Sequence, residues 1–320
     1  MTRLRDRRED LAALVGRTAE RLGIDPAFVE KDYWVTELLR SLARPFAIIE
    51  TAQPASMVVF KGGTSLSKAF GLIERFSEDV DILVTPPAGL GRGATDRLLK
   101  GLVERASTDL GLTPGSTTST TGVKRNVEYE YPCVHAASVL RSVLLLEMGT
   151  RGGAHPNSEV SINSQVAQLA IEIDPGLVAE DLTPFSIRVL GPERTLVEKL
   201  QLVHTAAMRF AEEPLLLERA GRHFYDIWKL LSADSVVAAL AGYPGGIAAL
   251  AEDVHERSEA SGFPSVRRPA GGYAVSPAFA DRDLMPAVRN ACRNIGPLVW
   301  GEVPSIETIM ARVVDSAARL

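Results

Sequence analysis

Apolar residues at helical spacing predict two helices at the start of the chain. The first covers residues 9–22, where Leu11, Val15 and Leu22 share one face, and it ends at Gly23. The second begins at Asp25-Pro26, because aspartate is a preferred N-cap and proline is tolerated in the first helical turn. The chain therefore opens with a helical segment.

A different pattern follows, in which short apolar runs alternate with helical stretches. Residues 57–60 predict a buried strand that ends in a tight Gly62-Gly63 turn, and residues 79–84 predict a second strand. Between and after them we expect helices over 65–75 and 94–111, a polar loop over 114–122, and β-rich runs over 123–131, 138–148 and 160–174. This part of the chain predicts a mixed α/β core.

From about residue 190 the pattern is almost entirely helical. The predicted helices cover residues 193–212, 214–232, 235–241, 246–258, 283–296 and 304–319, and residues 262–280 look like a loop. The order of elements predicts an α+β fold. We expect two domains, residues 1–190 with the helical lead-in and the core, and residues 191–320 with the helical C-terminal half.

Composition narrows the class of protein. With 46% hydrophobic and 23% charged residues, the chain has enough apolar material for a globular core. A net charge of -5 argues against a protein that coats nucleic acid, so an RNA partner would need a local basic patch. Two cysteines outside any metal motif, no signal segment and no apolar run of about 20 residues predict a cytoplasmic protein without a membrane span.

The residues between the first two predicted strands carry the first chemical signal. Gly62 and Gly63 allow the backbone to approach a ligand closely. A helix that starts near Thr64 and Ser65 directs N–H groups and the positive end of its dipole to the same place, and both hydroxyls add donors. This combination is typical of a phosphate-binding site.

The second signal is a pair of carboxylates on the next strand. Asp79 and Asp81 face the same side, because side chains two residues apart on a strand do so. Mg²⁺ prefers one or two carboxylates completed by substrate phosphates and water, and two such ions would activate an attacking hydroxyl and stabilise a leaving pyrophosphate. Ser77 lies close enough in sequence to contact a phosphate, although a capping role is equally compatible with its position.

These residues match the pattern GG[ST]…SxDxD, the first motif of the nucleotidyltransferase superfamily. The chain resembles the AbiEii/AbiGii toxin family, which includes the MenT toxins. Four further segments resemble elements of that family in the expected order: Glu30-Lys31-Asp32-Tyr33-Trp34, residues 194–200 (RTLVEKL), residues 222–227 (RHFYDI) and residues 269–279 (PAGGYAVSPAF). The resemblance covers residues 28–280.

The resemblance implies a nucleotidyltransferase-type mixed sheet and a site made of four pieces. Gly62, Gly63 and Thr64, assisted by Ser65, would hold the phosphates, and Asp79 and Asp81 would bind metal. Lys199 would contact the triphosphate, and Asp226 would be a further essential acid near it. Such cores usually carry a third carboxylate on a neighbouring strand; Glu147 is our candidate, with Glu172 and Asp174 as its competitors.

Other interpretations of these residues stay open at the level of sequence. Glu198 and Lys199 would suit a solvated helix face. Asp226 follows Arg222 and His223 at helical spacing and would pair with either along its own helix. Tyr33 and Trp34 fit the core better than base stacking.

We expect a toxin of a type IV toxin–antitoxin or abortive-infection system. It would transfer a nucleoside monophosphate from an NTP to an acceptor hydroxyl and release pyrophosphate, with two Mg²⁺ ions as cofactors. By analogy with the family, the acceptor would be the 3′ end of tRNA, and a cognate antitoxin would be encoded elsewhere. The alternatives are nucleotidylation of a small molecule or a protein, and a regulatory protein that binds NTP without transfer.

Overall fold

The computed structural model describes residues 3–46, 57–77, 79–135, 142–177 and 179–320. They form two compact units. The first consists of Met1–Thr64, Glu78–Thr150 and Asn157–Val189, and the second of Ser65–Ser77, Arg151–Pro156 and Leu190–Leu320. The division into domains 1–190 and 191–320 stays a prediction.

The first unit begins with the two predicted helices. Helix α1 covers Arg8–Leu22 and helix α2 covers Pro26–Ala43. Asp25 caps α2 as expected, since its carboxylate accepts a hydrogen bond of 2.8 Å from the Ala27 amide. A short 3-10 turn over Leu4–Asp6 precedes them. The sequence signals at this end are therefore confirmed.

A seven-stranded mixed sheet forms the centre of the first unit. In chain order, the strands of this sheet and the helices between them are β1 (Met57–Lys61), α3 (Gly62–Lys68), β2 (Asp79–Thr85), α4 (Arg92–Leu110), β3 (Pro114–Thr120), β4 (Lys124–Glu130), β5 (Val143–Gly149), β6 (Asn157–Ile162), α5 (Gln165–Ile173) and β7 (Phe185–Leu190). The strand order is β3-β4-β5-β2-β1-β7-β6. Strand β1 is antiparallel to β2 and parallel to β7, and β2 is parallel to β5. The α+β fold class is confirmed.

Helices α2 and α4 pack against this sheet, at β5 and β4 respectively, and α1 and α5 pack against α2. On β5 the buried positions are Leu144, Leu146 and Met148, while the intervening residues are half-exposed. Such alternation is that of a strand with one face covered by the core. It leaves the other face of the central strands for polar side chains.

Two predictions about the first unit are wrong. Residues 114–122 are no loop, because β3 occupies 114–120 at the edge of the sheet and pairs with β4 although all its residues are exposed. Residues 160–174 are no strand beyond Ile162, because α5 follows, with Ser164 as N-cap accepting a 3.0 Å hydrogen bond from the Ala167 amide. Part of the predicted run 138–148 lies outside the described residues.

The segment after β1 also differs from its prediction. Instead of a turn and a helix over 65–75, helix α3 starts directly at Gly62 and ends at Lys68. An extended stretch then leads to an isolated β-bridge between Arg75 and Val299, which holds the second half of this segment in the second unit. A helical pattern alone could not indicate that bridge.

The second unit is mainly helical, as the pattern from residue 190 onward predicts. Two predictions there are wrong, because the helix expected over 214–232 is interrupted after Glu218 and the loop expected over 262–280 ends in a short helix. Its helices are α6 (Pro192–Met208), α7 (Pro214–Glu218), α8 (Gly221–Ser232), α9 (Asp234–Gly242), α10 (Gly246–Ala260), α11 (Pro277–Ala280), α12 (Met285–Cys292) and α13 (Ile306–Asp315). They bury one apolar core, to which α6 and α8 contribute most, and which includes Leu66 and Ile73 from the earlier segment. Among the described residues no single helix is long and apolar enough to cross a membrane, and only α9 and α10 together, bent by 83°, have sufficient apolar length.

Candidate active site

The first turn of α3 lies against the carboxylate of Asp81. Gly62 has a φ of 79°, a conformation that residues with a side chain rarely adopt. A Cβ added to Gly62 would overlap the Asp81 carboxylate. The residue must therefore be glycine for two reasons, and the backbone at this point approaches the acidic strand as closely as packing allows.

A hydrogen bond joins the same two motifs. The Thr64 hydroxyl donates to the backbone carbonyl of Asp79 at 2.5 Å, and the Thr64 side chain is buried. The start of α3 is thus fixed to the first residue of β2 within the first unit. The structure brings Gly62, Gly63, Thr64, Asp79 and Asp81 together, as the sequence predicted.

Asp79 and Asp81 are half-exposed, whereas Val80 and Ile82 between and after them are buried. Both carboxylates therefore lie on the same, accessible face of β2. Glu147 is the register partner of Asp81 on the parallel strand β5, so it shares that face. Its Oε1 accepts a hydrogen bond of 2.9 Å from the Asn126 side chain, which orients the carboxylate.

This donor set suits a hard divalent cation, because all its ligands would be carboxylate oxygens on one face of two adjacent strands. Within the described ranges, no group of three or more histidine, cysteine, aspartate or glutamate side chains is already arranged to hold a metal ion. Mg²⁺ commonly takes the rest of its coordination from substrate phosphates and water.

The competitors of Glu147 are not on a strand at all. Glu172 lies in α5 and forms an exposed ion pair of 2.5 Å with Arg21, and Asp174 is the exposed residue after that helix. Asp174 accepts a hydrogen bond from the Gly176 amide at 2.9 Å. The expectation that either acid would sit on a neighbouring strand is wrong, because Ser164 starts a helix there.

Lys199 of α6 and Asp226 of α8 meet in the second unit, as the family resemblance implied. Lys199 is 6% exposed and Asp226 is fully buried. The Lys199 ammonium lies 2.7 Å from Asp226 Oδ2. Lys199 is therefore not part of a solvated helix face.

A third residue, Arg75, completes this group and was missed at the level of sequence. Its Nε lies 2.6 Å from Asp226 Oδ1 and its Nη2 lies 2.7 Å from Oδ2, in a bidentate pair that is almost fully buried. Asp226 thus pairs with side chains from two other segments. Arg75 comes from a stretch whose apolar spacing looked helical, and no sequence motif indicates a partner 151 positions away.

Electrostatics within this group favour a charged Asp226. Burial raises the pKa of its carboxyl, but the positive charges of Lys199 and Arg75 outweigh burial and hold that pKa below its usual value. Burial lowers the pKa of Lys199, and Asp226 opposes this change. Burial and the neighbouring Lys199 keep the pKa of His223 well below its usual value, so this ring is neutral beside the ammonium, 3.4 Å from Nδ1 to Nζ.

The two candidate serines lie in the part of the chain that belongs to the second unit. Ser65 is buried within α3, and Ser77 is half-exposed shortly before β2. Their roles in phosphate binding stay predictions.

The segment Glu30-Lys31-Asp32-Tyr33-Trp34 has a structural role. Glu30 accepts hydrogen bonds from the amides of Val134 and His135 at 2.7 and 3.1 Å. The Tyr33 hydroxyl donates to buried Asp181 at 2.6 Å. Tyr33 and Trp34 are buried, which confirms their assignment to the core.

The segment 269–279 is fastened to α6. Tyr273 donates to the Gln201 side chain at 2.5 Å, and the Ser276 hydroxyl lies 2.8 Å from His204 Nδ1. These buried contacts fix the path of an otherwise irregular stretch over the second unit. We assign this family element to the stability of that unit.

A glycine-threonine helix start joined to an Asp-x-Asp strand in a mixed sheet is the arrangement that nucleotidyltransferases use. Residues 46–298 match the family model described as nucleotidyl transferase AbiEii toxin, type IV toxin–antitoxin system, which covers most of the chain. The chain belongs to this family and is a nucleotidyltransferase. Membership implies an NTP substrate, a divalent metal ion and an antitoxin partner.

A comparison with curated protein sequences found no significant match. Among solved structures the chain is similar to MenT4, the nucleotidyltransferase toxin Rv2826c from Mycobacterium tuberculosis H37Rv. The alignment has 18% sequence identity and a TM-score of 0.35, and covers 96% of this chain and 98% of that one.

Proposed function

We propose that the protein is a Mg²⁺-dependent toxin that transfers a nucleoside monophosphate from an NTP to the 3′ end of tRNA. The observation that carries the proposal is the direct packing of Gly62 against Asp81, together with the Thr64–Asp79 hydrogen bond. It supports a site in which the phosphates and the metal-binding carboxylates share one small region of the first unit. Transfer at the α-phosphate needs that proximity.

The glycines and hydroxyls have the role of holding the triphosphate. Gly62 and Gly63 let backbone amides approach the phosphate oxygens without an intervening side chain. Thr64 fixes this backbone to β2, and Ser65 and Ser77 assist from the following segment. Their joint effect is to orient the α-phosphate for attack.

Asp79 and Asp81 would hold Mg²⁺, and Glu147 would be the third carboxylate. Two Mg²⁺ ions held there would activate the acceptor hydroxyl and stabilise the leaving pyrophosphate. The carboxylates would neutralise part of the charge of the ions, and the in-register pairing of β2 with β5 keeps Asp81 beside Glu147. Asn126 holds Glu147 in its orientation.

Lys199 would neutralise charge on the triphosphate, and Asp226 would hold its ammonium in place beforehand. The net charge of -5 is compatible with a small RNA footprint limited to the 3′ end.

A transfer assay tests this proposal. The purified protein is incubated with Mg²⁺, total tRNA and each α-labelled NTP in turn, with and without EDTA, and labelled tRNA and pyrophosphate are measured. A second sample contains tRNA whose 3′-terminal diol has been oxidised with periodate, which removes the acceptor hydroxyl. We expect labelling of intact tRNA only, with one preferred NTP, and none with EDTA.

The assay uses a matched pair of variants in which one carboxylate becomes its amide. Asp79→Asn makes this change on β2, and Asp174→Asn makes it on the exposed surface after α5. Asp79→Asn should lose about 100-fold or more of the activity, and Asp174→Asn should keep it. Full activity of Asp79→Asn would contradict the metal role. Labelling of oxidised tRNA, of the protein or of a small molecule would contradict the 3′-end acceptor.

A further inference from the structure

Arg75 has no role in the proposed chemistry, yet it is one of the largest fully buried side chains of the protein. Its guanidinium donates twice to Asp226, and its Nη1 donates to the carbonyl of Phe76 at 2.9 Å. The backbone around it is also fixed, through the bridge to Val299 and through the Phe76 amide, which donates to the Leu298 carbonyl at 2.8 Å. Burying an arginine this completely costs desolvation free energy, and the ion pair with Asp226 offsets that cost.

The group of Arg75, Lys199 and Asp226 contains one more positive than negative charge. Asp226 requires only one cation to be neutralised, and the bidentate geometry shows that Arg75 satisfies both of its oxygens. Lys199 adds a single contact of 2.7 Å to one of them. The Lys199 ammonium also lies 3.4 Å from Nδ1 of His223, which is neutral. The charge of Lys199 is therefore in excess within the group.

This excess matters for a lysine that must contact a nucleotide. If Lys199 were the sole partner of Asp226, turning its ammonium toward a phosphate would leave a buried carboxylate without a counter-charge, which is strongly unfavourable. With Arg75 in place, the carboxylate keeps its two strongest hydrogen bonds while Lys199 moves. The flexible four-carbon stem of lysine permits such a movement, whereas the planar guanidinium of Arg75 holds its position.

We propose that Arg75 is a positioning residue that neutralises Asp226 and so leaves the ammonium of Lys199 available to the phosphates of the bound NTP. Arg75 itself touches neither nucleotide nor metal in this scheme. The inference rests on the proposed role of Lys199 in the function above. It assigns Asp226 to holding the two cations rather than to proton transfer.

The charged and titratable groups around Lys199 support the same view. Asp226 raises the pKa of Lys199, and Arg75 and Arg222 lower it, with burial as the largest cause of the lowered value. Removal of Arg75 should therefore raise the pKa of Lys199 and tighten its pairing with Asp226. The ammonium would then be held by the carboxylate and less available to a ligand.

The test is a double-mutant cycle in the transfer assay with the full chain. Arg75→Gln, Lys199→Gln and the double variant are compared for KM of the NTP and for kcat, with folding checked by circular dichroism. We expect Lys199→Gln to raise KM by about tenfold or more, the size of a lost charge-assisted contact. Arg75→Gln should raise KM to a similar extent, and the double variant should be no worse than Lys199→Gln.

Arg75→Lys keeps the charge and loses the bidentate geometry, so its KM should lie between those of the wild type and Arg75→Gln. If Arg75→Gln does not fold, Arg75→Lys can replace it in the cycle, because the effect of Arg75→Lys on KM should also vanish when Lys199 is replaced by glutamine. The inference would be overturned if the effects of the Arg75 and Lys199 substitutions on KM multiply in the double variant, or if KM is unchanged in the Arg75 variants. Either result would leave the proposed function intact. An unchanged KM in Lys199→Gln would overturn the role of Lys199 itself, and the inference with it.

Discussion

The carboxylate of Asp81 occupies the space where a side chain at Gly62 would begin. The two residues belong to consecutive elements, α3 and β2, and the Lys61–Asp81 register of the β1–β2 pair brings them into contact. The glycine is therefore required by its neighbour as well as by its own φ of 79°. This relationship connects the phosphate motif to the acidic motif without any ligand.

Gly62→Ala should reduce transfer activity by about 100-fold, because the new Cβ would displace Asp81 by roughly 1 Å from its position. The positive φ adds a cost of about 1–2 kcal/mol to folding. Transfer rates and urea unfolding measure the two effects separately. Gly111→Ala is the matched control, since Gly111 has a φ of 68° and open space around its Cβ position. Equal activity of the two variants would contradict a role for the contact with Asp81.

Glu147→Gln should raise the Mg²⁺ concentration for half-maximal activity by about tenfold. The amide keeps an oxygen that accepts from Asn126, so the change removes a charge from the face of β2 and β5 while this hydrogen bond is retained. Glu172→Gln is the control on the exposed surface of α5 and should leave the Mg²⁺ dependence unchanged. Transfer activity of both variants is measured as a function of Mg²⁺ concentration. Equal curves for Glu147→Gln and Glu172→Gln would exclude Glu147 as a metal ligand.

Local patterns were sufficient to predict strands β1 and β2 and helices α1 and α2, but they placed helix α3 over 65–75 and not at Gly62–Lys68. Strands β1 and β2 have apolar runs, and α1 and α2 have an apolar face with a recognisable start. Strand β3 could not be predicted this way, because its threonines and serines are all exposed and the strand is defined by its pairing with β4. Helix α5 was predicted as a strand because its apolar residues fit a strand as well as a short helix. The signal that identifies the helix is its N-cap, Ser164.

The same limit applies to the second unit. Lys199 and Asp226 were identified from family motifs, but nothing local to either residue indicates that they pair. The contact depends on how α6 packs against α8, which is set by the core of that unit. Arg75 lies 151 positions from its partner and in an extended stretch with no motif of its own. Such pairings follow from the tertiary structure only.

Asp226→Asn should lower the free energy of unfolding by about 3–5 kcal/mol at pH 7, because it leaves two buried cations with no counter-charge. The pKa of Asp226 is lowered by folding, so the wild type gains this stability above the usual aspartate pKa of about 3.9 and loses it as the pH falls toward the folded value. The variant has no such titration. The difference between the two proteins should therefore shrink below about pH 4.

Urea unfolding at pH 7 and at the lowest pH where both proteins fold measures this difference. Glu252→Gln is the control, because it removes one partner of the exposed Arg267–Glu252 pair, and its effect should be small at either pH. A gap between wild type and Asp226→Asn that stays constant with pH would show that the carboxylate is not charged in the folded protein.

Tyr33→Phe tests the structural role of the N-terminal family segment. The Tyr33 hydroxyl donates to Asp181, whose carboxylate also accepts the Leu4 amide at 2.7 Å and thereby fixes the start of the chain to the first unit. Burial is the largest cause of the raised pKa of Tyr33, so its hydroxyl remains a donor at any pH of interest. Removing it should lower the free energy of unfolding by about 1.5–3 kcal/mol, the value of a hydrogen bond to a charged group.

The KM for NTP should stay unchanged in this variant, because the ring is buried and its hydroxyl is used within the fold. Tyr243→Phe is the control, since the Tyr243 side chain is half-exposed and shares no hydrogen bond with another described residue, and it should leave stability unaltered. Unfolding curves and NTP kinetics of both variants separate the two roles. A raised KM with unaltered stability in Tyr33→Phe would contradict the purely structural role and indicate that the segment takes part in nucleotide binding.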